Sequence, residues 1–267
     1  MNNKKIDIIT VNYKSLLFLF ALIFAVKKLS YFHNKIIIRD NGSNVFSRMV
    51  LKLFLLFVSK KDIDIYFFKQ TRIGGMGHGE ALNFLSDEIT SEFGAIFDVD
   101  CIPLLKNWDK LLIDSLVDNI KVIGTQASLP KKQDFPYVFG MVFESAAFKK
   151  TKIDFLPGKV TQFDDTQDTG YKMREIFYSN NFGNSILKKT SKNIDEPFFG
   201  IPSSEYMLAN KIIMSHFGRG SNPLGKNMLF LFKKKIFEKI FRYPSWLFYK
   251  YLWIYKVIKI IKNESRI

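Results

Sequence analysis

Short runs rich in Ile, Val and Phe alternate with longer apolar stretches through the first half of the chain. Residues 6–12 predict a strand, and Ser15 stands where it would cap a helix running to residue 29. Residues 35–39 predict a second strand, closed by the turn Asp40-Asn41-Gly42-Ser43, and a second apolar helix follows over about 45–58. A third strand is expected at 63–68, a helix over about 79–89, and a fourth strand at 94–97. Strand–helix alternation with short turns predicts an α/β fold with a mostly parallel sheet flanked by helices. The apolar run 16–26 is too short to cross a bilayer and has a strand on either side, so it reads as a buried crossover helix and not as a signal peptide.

The second half is less regular. Residues 139–143 predict a strand, with 146–148 as its continuation or a short helix, and a helix is expected over about 169–177. Beyond Asn222 the composition shifts. Lys233-Lys234-Lys235, Lys250, Lys256, Lys259 and Lys262 are interleaved with Trp246, Phe248, Tyr249, Tyr251, Trp253 and Tyr255, and Pro244 is expected to separate two helices. The chain therefore divides into an α/β unit, 1–221, and a basic, aromatic helical appendage, 222–267. Lysine-flanked apolar rows with interfacial aromatics fit helices lying in the headgroup region of an anionic membrane. A helix pair docked on the α/β unit and a nucleic-acid tail are the alternatives.

Composition narrows the classes. With 47% hydrophobic residues, 28 of them phenylalanine, the 267-residue chain is not disordered and can bury a large core. A net charge of +15 points to anionic partners such as phosphates or acidic lipid, although a Lys-, Asn- and Ile-rich residue usage accounts for part of it. Cys101 is the sole cysteine, which excludes an intrachain disulfide and fits a reducing compartment; it reads as a small packing residue and not as a nucleophile.

The most informative chemistry lies in Phe97-Asp98-Val99-Asp100-Cys101. Side chains at i and i+2 of an extended segment point the same way, so both carboxylates can face one hard divalent cation, Mn²⁺ or Mg²⁺. Three polar features, Asn12-Tyr13, Asp40–Ser43 and Asp98–Asp100, fall at the carboxyl ends of predicted strands, where ligands gather in open α/β sheets. Gly74-Gly75-Met76-Gly77-His78-Gly79 matches neither a Walker loop nor a Rossmann fingerprint. It reads as a flexible loop near a diphosphate, with Arg72 or His78 in contact, or as a plain surface loop leading into a helix. His33, between helix and strand, reads as a surface residue.

Thr10-Val11-Asn12-Tyr13, Arg39-Asp40-Asn41-Gly42-Ser43, Gly77–Asn83 and Phe97-Asp98-Val99-Asp100 resemble, in order and approximate spacing, the motifs of family 2-like glycosyltransferases of the GT-A fold. The resemblance covers the first half well and reaches more loosely to about residue 220. It implies a nucleotide-binding half, 1–103, and an acceptor-side half, 104–221. It also implies that Asp40 hydrogen-bonds the donor base beside Asn12, that Asp98 meets ribose or metal, and that Asp100 binds the metal. His216, in Ser215-His216-Phe217-Gly218-Arg219, would complete the metal site, with Arg219 on the diphosphate. The general base would be Asp168 or else Asp165, because the sequence departs from the family's usual Glu-Asp-x-Asp; helix capping is the other role open to either. Without the ordered set of motifs, Asp40 reads as an ordinary turn residue.

The expected activity is metal-dependent transfer of a sugar, with inversion, from a nucleoside-diphosphate donor to a surface glycan or lipid-linked precursor. The setting implied is cytoplasmic, peripheral on the inner face of the membrane, with no nucleic-acid partner. The competing class is a non-catalytic membrane- or nucleic-acid-binding protein on a degenerate α/β scaffold. A sugar nucleotidyltransferase would need a glycine-rich loop after the first strand, where Asn12-Tyr13-Lys14-Ser15 stands.

Overall fold

The structure, a computed structural model, describes residues 4–58, 60–69, 72, 74–127, 131–159, 167–191, 196–218 and 236–266. Alternation builds its first half. In β1 (Lys5–Asn12), Ile6 and Ile8 face one side of the sheet while Ile9 and Val11 face the other, and each set enters a separate apolar cluster. Helix α1 (Leu16–Leu29) crosses to β2 (His33–Asn41), α2 (Val45–Phe57) to β3 (Ile63–Phe68), and α3 (Gly75–Asp87) to β4 (Phe93–Phe97). These four strands are parallel neighbours in the order β3-β2-β1-β4.

The sheet then changes character. After β5 (Cys101–Pro103), α4 (Trp108–Ile113) and β6 (Ile120–Gln126), strand β7 (Pro136–Glu144) inserts antiparallel between β4 and β6. Helices α5 (Ser145–Thr151) and α6 (Met173–Ser179) precede β8 (Gly183–Lys189), which pairs parallel with β6. Strands β9 (Ser204–Leu208) and β10 (Lys211–His216) continue antiparallel and end on β5, giving a sheet of ten strands among the described residues. The parallel half matches the expected α/β class, and the antiparallel half is what brings a late strand back to the acidic pair.

Two buried aspartates brace the sheet away from its carboxyl edge. Asp7 accepts the Thr90 and Ser91 amides at 2.7 and 2.8 Å, and Asp109 accepts those of Tyr31 and Phe32 at 2.7 and 2.8 Å. Burial pushes the Asp109 carboxyl up, against the pull of those amides.

Four local expectations are corrected. Ser15 occupies the position before α1, but its hydroxyl donates to the Tyr13 carbonyl at 3.0 Å and caps nothing. The glycine run forms the cap and first turns of α3, not a flexible loop, and at Gly79 the packing is close: a Cβ there would lie 2.6 Å from the Phe155 carbonyl oxygen. The helix expected over 169–177 begins only at Met173, after turns at Thr169–Lys172. Helix α7 (Ile236–Glu264) runs unbroken through Pro244.

The turns after Pro244 also change the picture of the C-terminal segment. Trp253, Val257 and Ile261, spaced i, i+4, i+8, are fully buried beside α1, with the Trp253 ring 5.6 Å from Phe18. Lys250 is no headgroup lysine: it is half-buried, its Nζ 4.7 Å from the Phe18 ring and 5.0 Å from that of Trp246. Phe248, Tyr251 and Tyr255 face outward. No described helix is long and apolar enough to cross a membrane.

Candidate active site

The carboxyl ends of β1 and β2 meet through their last polar residues. Asn12 donates to Asp40 Oδ2 at 2.6 Å, and Asp40 also receives the Ser43 amide at 2.9 Å and the Ser43 hydroxyl at 2.7 Å. Asp40 is enclosed and engaged on both oxygens, so it fixes the turn and holds Asn12. The other end of that carboxamide, Asn12 Oδ1, is a buried acceptor without a hydrogen bond. Beside it, Asn41 donates to the Gly77 carbonyl at 3.1 Å and accepts from Arg39 at 3.0 Å, which ties β2 to the start of α3.

Past β4 the chain turns over Asp98–Asp100, with the Cys101 amide donating to the Asp98 carbonyl at 2.8 Å. β5 then pairs with β10 so that His216 lies opposite Cys101. This register delivers an imidazole from the far end of the sheet to the acidic pair. Ligand atoms of Asp98, Asp100 and His216 all lie within 4.8 Å of one another, and His216 Nε2 is 3.5 Å from Asp100 Oδ1. The ring of Phe139 on β7 stacks on His216 at 4.2 Å and fixes its plane. The Phe217 amide donates to the Asp100 carbonyl at 2.9 Å.

Electrostatically the cluster seeks positive charge. Burial pushes the Asp98 carboxyl up, and Asp100 and Asp168 add to this against His78 and His216. Burial also acts to lower the His216 imidazole, yet the Asp100 carboxylate prevails and its pKa is raised. Asp98 Oδ1, 3.4 Å from His78 Nε2, is buried and accepts no hydrogen bond. Ligands held ~2.1 Å from an octahedral ion stand about 3–4 Å apart, so these three atoms need only a small closure to share one. Two carboxylates with one imidazole suit Mn²⁺ better than Mg²⁺, which favours all-oxygen shells. The donor set and the orphaned oxygen fit a divalent metal.

On the acceptor side, Asp168 lies against the first turn of α3, where a Cβ on Gly75 would be 3.1 Å from its Oδ1. Its Oδ2 receives Lys131 Nζ at 3.0 Å, and that ammonium also donates to the Tyr137 hydroxyl at 2.7 Å. A cavity of about 430 Å³ opens here, lined by Lys131, Tyr137, Gln167, Tyr171 and Arg174 among others. Asn12, Asp40, Asp98, Asp100, His216, His78 and Asp168 thus converge on one edge of the sheet. Arg72 does not join them: it is exposed and paired with Glu80 at 3.0 Å. Asp165 and Arg219 lie outside the described residues. Cys101 is buried, its thiol pushed up by burial and the two neighbouring carboxylates, as suits a packing residue. Sequence reasoning missed Lys131, Tyr137 and Phe139; the strand pattern around 139 offered the only signal, placing aromatic residues 137 and 139 two apart on one strand.

No family model matches the chain, and no curated protein matches it in sequence. Among solved structures it is similar to mannosyltransferase PcManGT from Pyrobaculum calidifontis, in complex with GDP-Man and Mn²⁺, with a TM-score of 0.50 and 12% identity. That likeness covers 72% of this chain and 58% of PcManGT. TarS of S. aureus is similar at a TM-score of 0.50 and 13% identity, over 70% of this chain and 36% of TarS. The chain therefore spans less than two thirds of either relative. At such identities the likeness is one of fold, and the fold is GT-A.

Proposed function

We propose that the protein is a metal-dependent glycosyltransferase. It moves a hexose from a nucleoside-diphosphate donor to a hydroxyl of a surface glycan or lipid-linked precursor, with inversion at the anomeric carbon. The observation that carries this reading is the meeting of Asp98, Asp100 and His216 at one sheet edge with Asn12–Asp40 on one side and Asp168 on the other. Asp40 holds Asn12 at the base pocket, and the unmet acceptor of Asn12 takes a base N–H. Asp98, Asp100 and His216 would hold Mn²⁺ or Mg²⁺, which when bound neutralises charge on the leaving diphosphate. His78, 3.4 Å from Asp98, supplies further positive charge to the phosphates. Asp168 accepts the proton of the acceptor hydroxyl as its oxygen attacks the anomeric carbon, with Asp165 as the alternative base. Residues 1–221 form the catalytic unit, and 222–267 attach it peripherally to the inner face of the membrane.

Calorimetric titration of nucleoside diphosphates with and without Mn²⁺ tests this reading. One base should bind only with the metal, and Asp100→Ala should abolish that binding while the melting temperature holds. Absence of binding by any diphosphate to folded protein would reject the enzyme and leave a binding protein on this scaffold.

A further inference from the structure

A surface helix needs one apolar face, and α2 has two. Its inner face buries Leu51 and Leu55 and stacks Phe54 on Phe20 of α1 at 4.1 Å. Its outer face carries Val45, Met49, Leu53 and Leu56 at i, i+4, i+8 and i+11, flanked by Phe46 and Phe57. These are not grazing exposures: Val45 is 84% exposed, Leu56 72% and Phe57 88%. Single exposed apolar residues are normal, whereas a continuous stripe marks an interaction surface. Between this stripe and the edge strand β3 lies a cavity of about 430 Å³ lined by Met49, Leu53, Leu56, Ile63 and Phe67. Arg48 and Lys52 border it, 5.0 and 6.0 Å from the Phe67 ring.

We infer that α2 is a membrane-docking element whose apolar stripe and groove seat on an anionic lipid surface. Charge selects this occupant. Pairing with a second copy would bring Arg48 and Lys52 against their own kind on molecules that each carry +15. A lipid interface instead offers phosphates to the cations and an acyl boundary to the stripe. Position agrees, because α2 and α7 both pack on α1 within the helical layer on one side of the sheet, and α7 turns Phe248, Tyr251 and Tyr255 outward. The docking is peripheral, since no described helix suits a span. The inference is independent of glycosyl transfer, as neither Asp100 nor Asp168 enters it.

Flotation of the full chain with mixed phosphatidylcholine–phosphatidylglycerol vesicles tests it, with pure phosphatidylcholine as the control. The wild type should float with the anionic vesicles and far less with neutral ones. Phe46→Ser/Leu56→Ser/Phe57→Ser should lower partitioning about tenfold or more. Lys52→Glu, which keeps the apolar stripe, should weaken binding to anionic vesicles alone, and it decides the matter if the triple variant melts early. Wild-type flotation by both variants, or no flotation by the wild type, overturns the inference. So does a dimer in light scattering that the triple variant dissociates, since the occupant would then be a second copy.

Discussion

Lys131 and Asp168 are 37 residues apart, yet the ammonium stands 3.0 Å from the carboxylate and donates to the Tyr137 hydroxyl as well. A general base is effective only if its lone pair points at the proton it takes, and an ammonium held between Tyr137 and Asp168 fixes that direction. Asp168→Asn should therefore lower kcat by about 10²–10⁴-fold with donor affinity intact. Lys131→Met should lower kcat less, also without raising the donor KM. Because Lys131 acts through Asp168, the double variant should be no slower than Asp168→Asn alone, which a kinetic double-mutant cycle measures. Additive losses would show that Lys131 has a separate task. At this scale the sequence displayed what is local. Asp98 and Asp100 announce themselves by i, i+2 spacing, and Asn12 and Asp40 by their place after apolar runs. Lys131 did not, since its partner is set by the sheet and a Lys-Lys pair in a polar stretch has the look of a solvated surface.

Helix α3 shows how packing overrides propensity. Three glycines in its first turns argue against a helix by intrinsic preference, each costing about 1 kcal/mol relative to alanine. The helix forms because the segments leading to Asp168 lie directly on it. The Cβ position of Gly79 is 2.6 Å from the Phe155 carbonyl oxygen, and the Asn83 side chain accepts the Phe155 amide at 2.9 Å. Gly79→Ala gains helix propensity but must push that backbone away. The expected outcome is a net loss of about 1–3 kcal/mol in denaturant unfolding. The displaced segment leads to the base, so kcat should fall further than metal-dependent nucleotide affinity. A stabilised variant with normal turnover would show that the close approach has no function. The elements that were legible, β1 to β4 with α1 and α2, have apolar periods long enough to outweigh their flanks. Strands β8 to β10 were not, because they are mixed in polarity and take their place by pairing with one another, with β6 and with β5.

For the whole molecule, the question is what the C-terminal helix contributes to a site whose residues all precede it in the chain. Its basic and aromatic composition suggested a lipid surface, and its outward residues still fit one, but hydrophobic period alone cannot tell lipid from protein as the apolar partner. The structure supplies the missing half. Trp253 is fully buried between Phe18 and Phe217, 5.6 and 5.7 Å from their rings, and its indole N–H donates to the Ser215 hydroxyl at 2.8 Å. Ser215 in turn donates to the buried Glu205 at 2.9 Å and immediately precedes His216. The helix thus braces the strand that carries the proposed third metal ligand. Trp253→Ala should cost about 3–5 kcal/mol in urea unfolding, and it should weaken Mn²⁺-dependent nucleotide binding in the protein that remains folded. Trp253→Phe keeps most of the packing and loses the hydrogen bond, so its stability cost should be about 1–3 kcal/mol, with a smaller but measurable loss of metal affinity. If both variants bind Mn²⁺ and nucleotide as the wild type does, α7 is a wall of the core with no hold on the site. If affinity tracks the Trp253–Ser215 bond, α7 sets the metal site through the strand it braces.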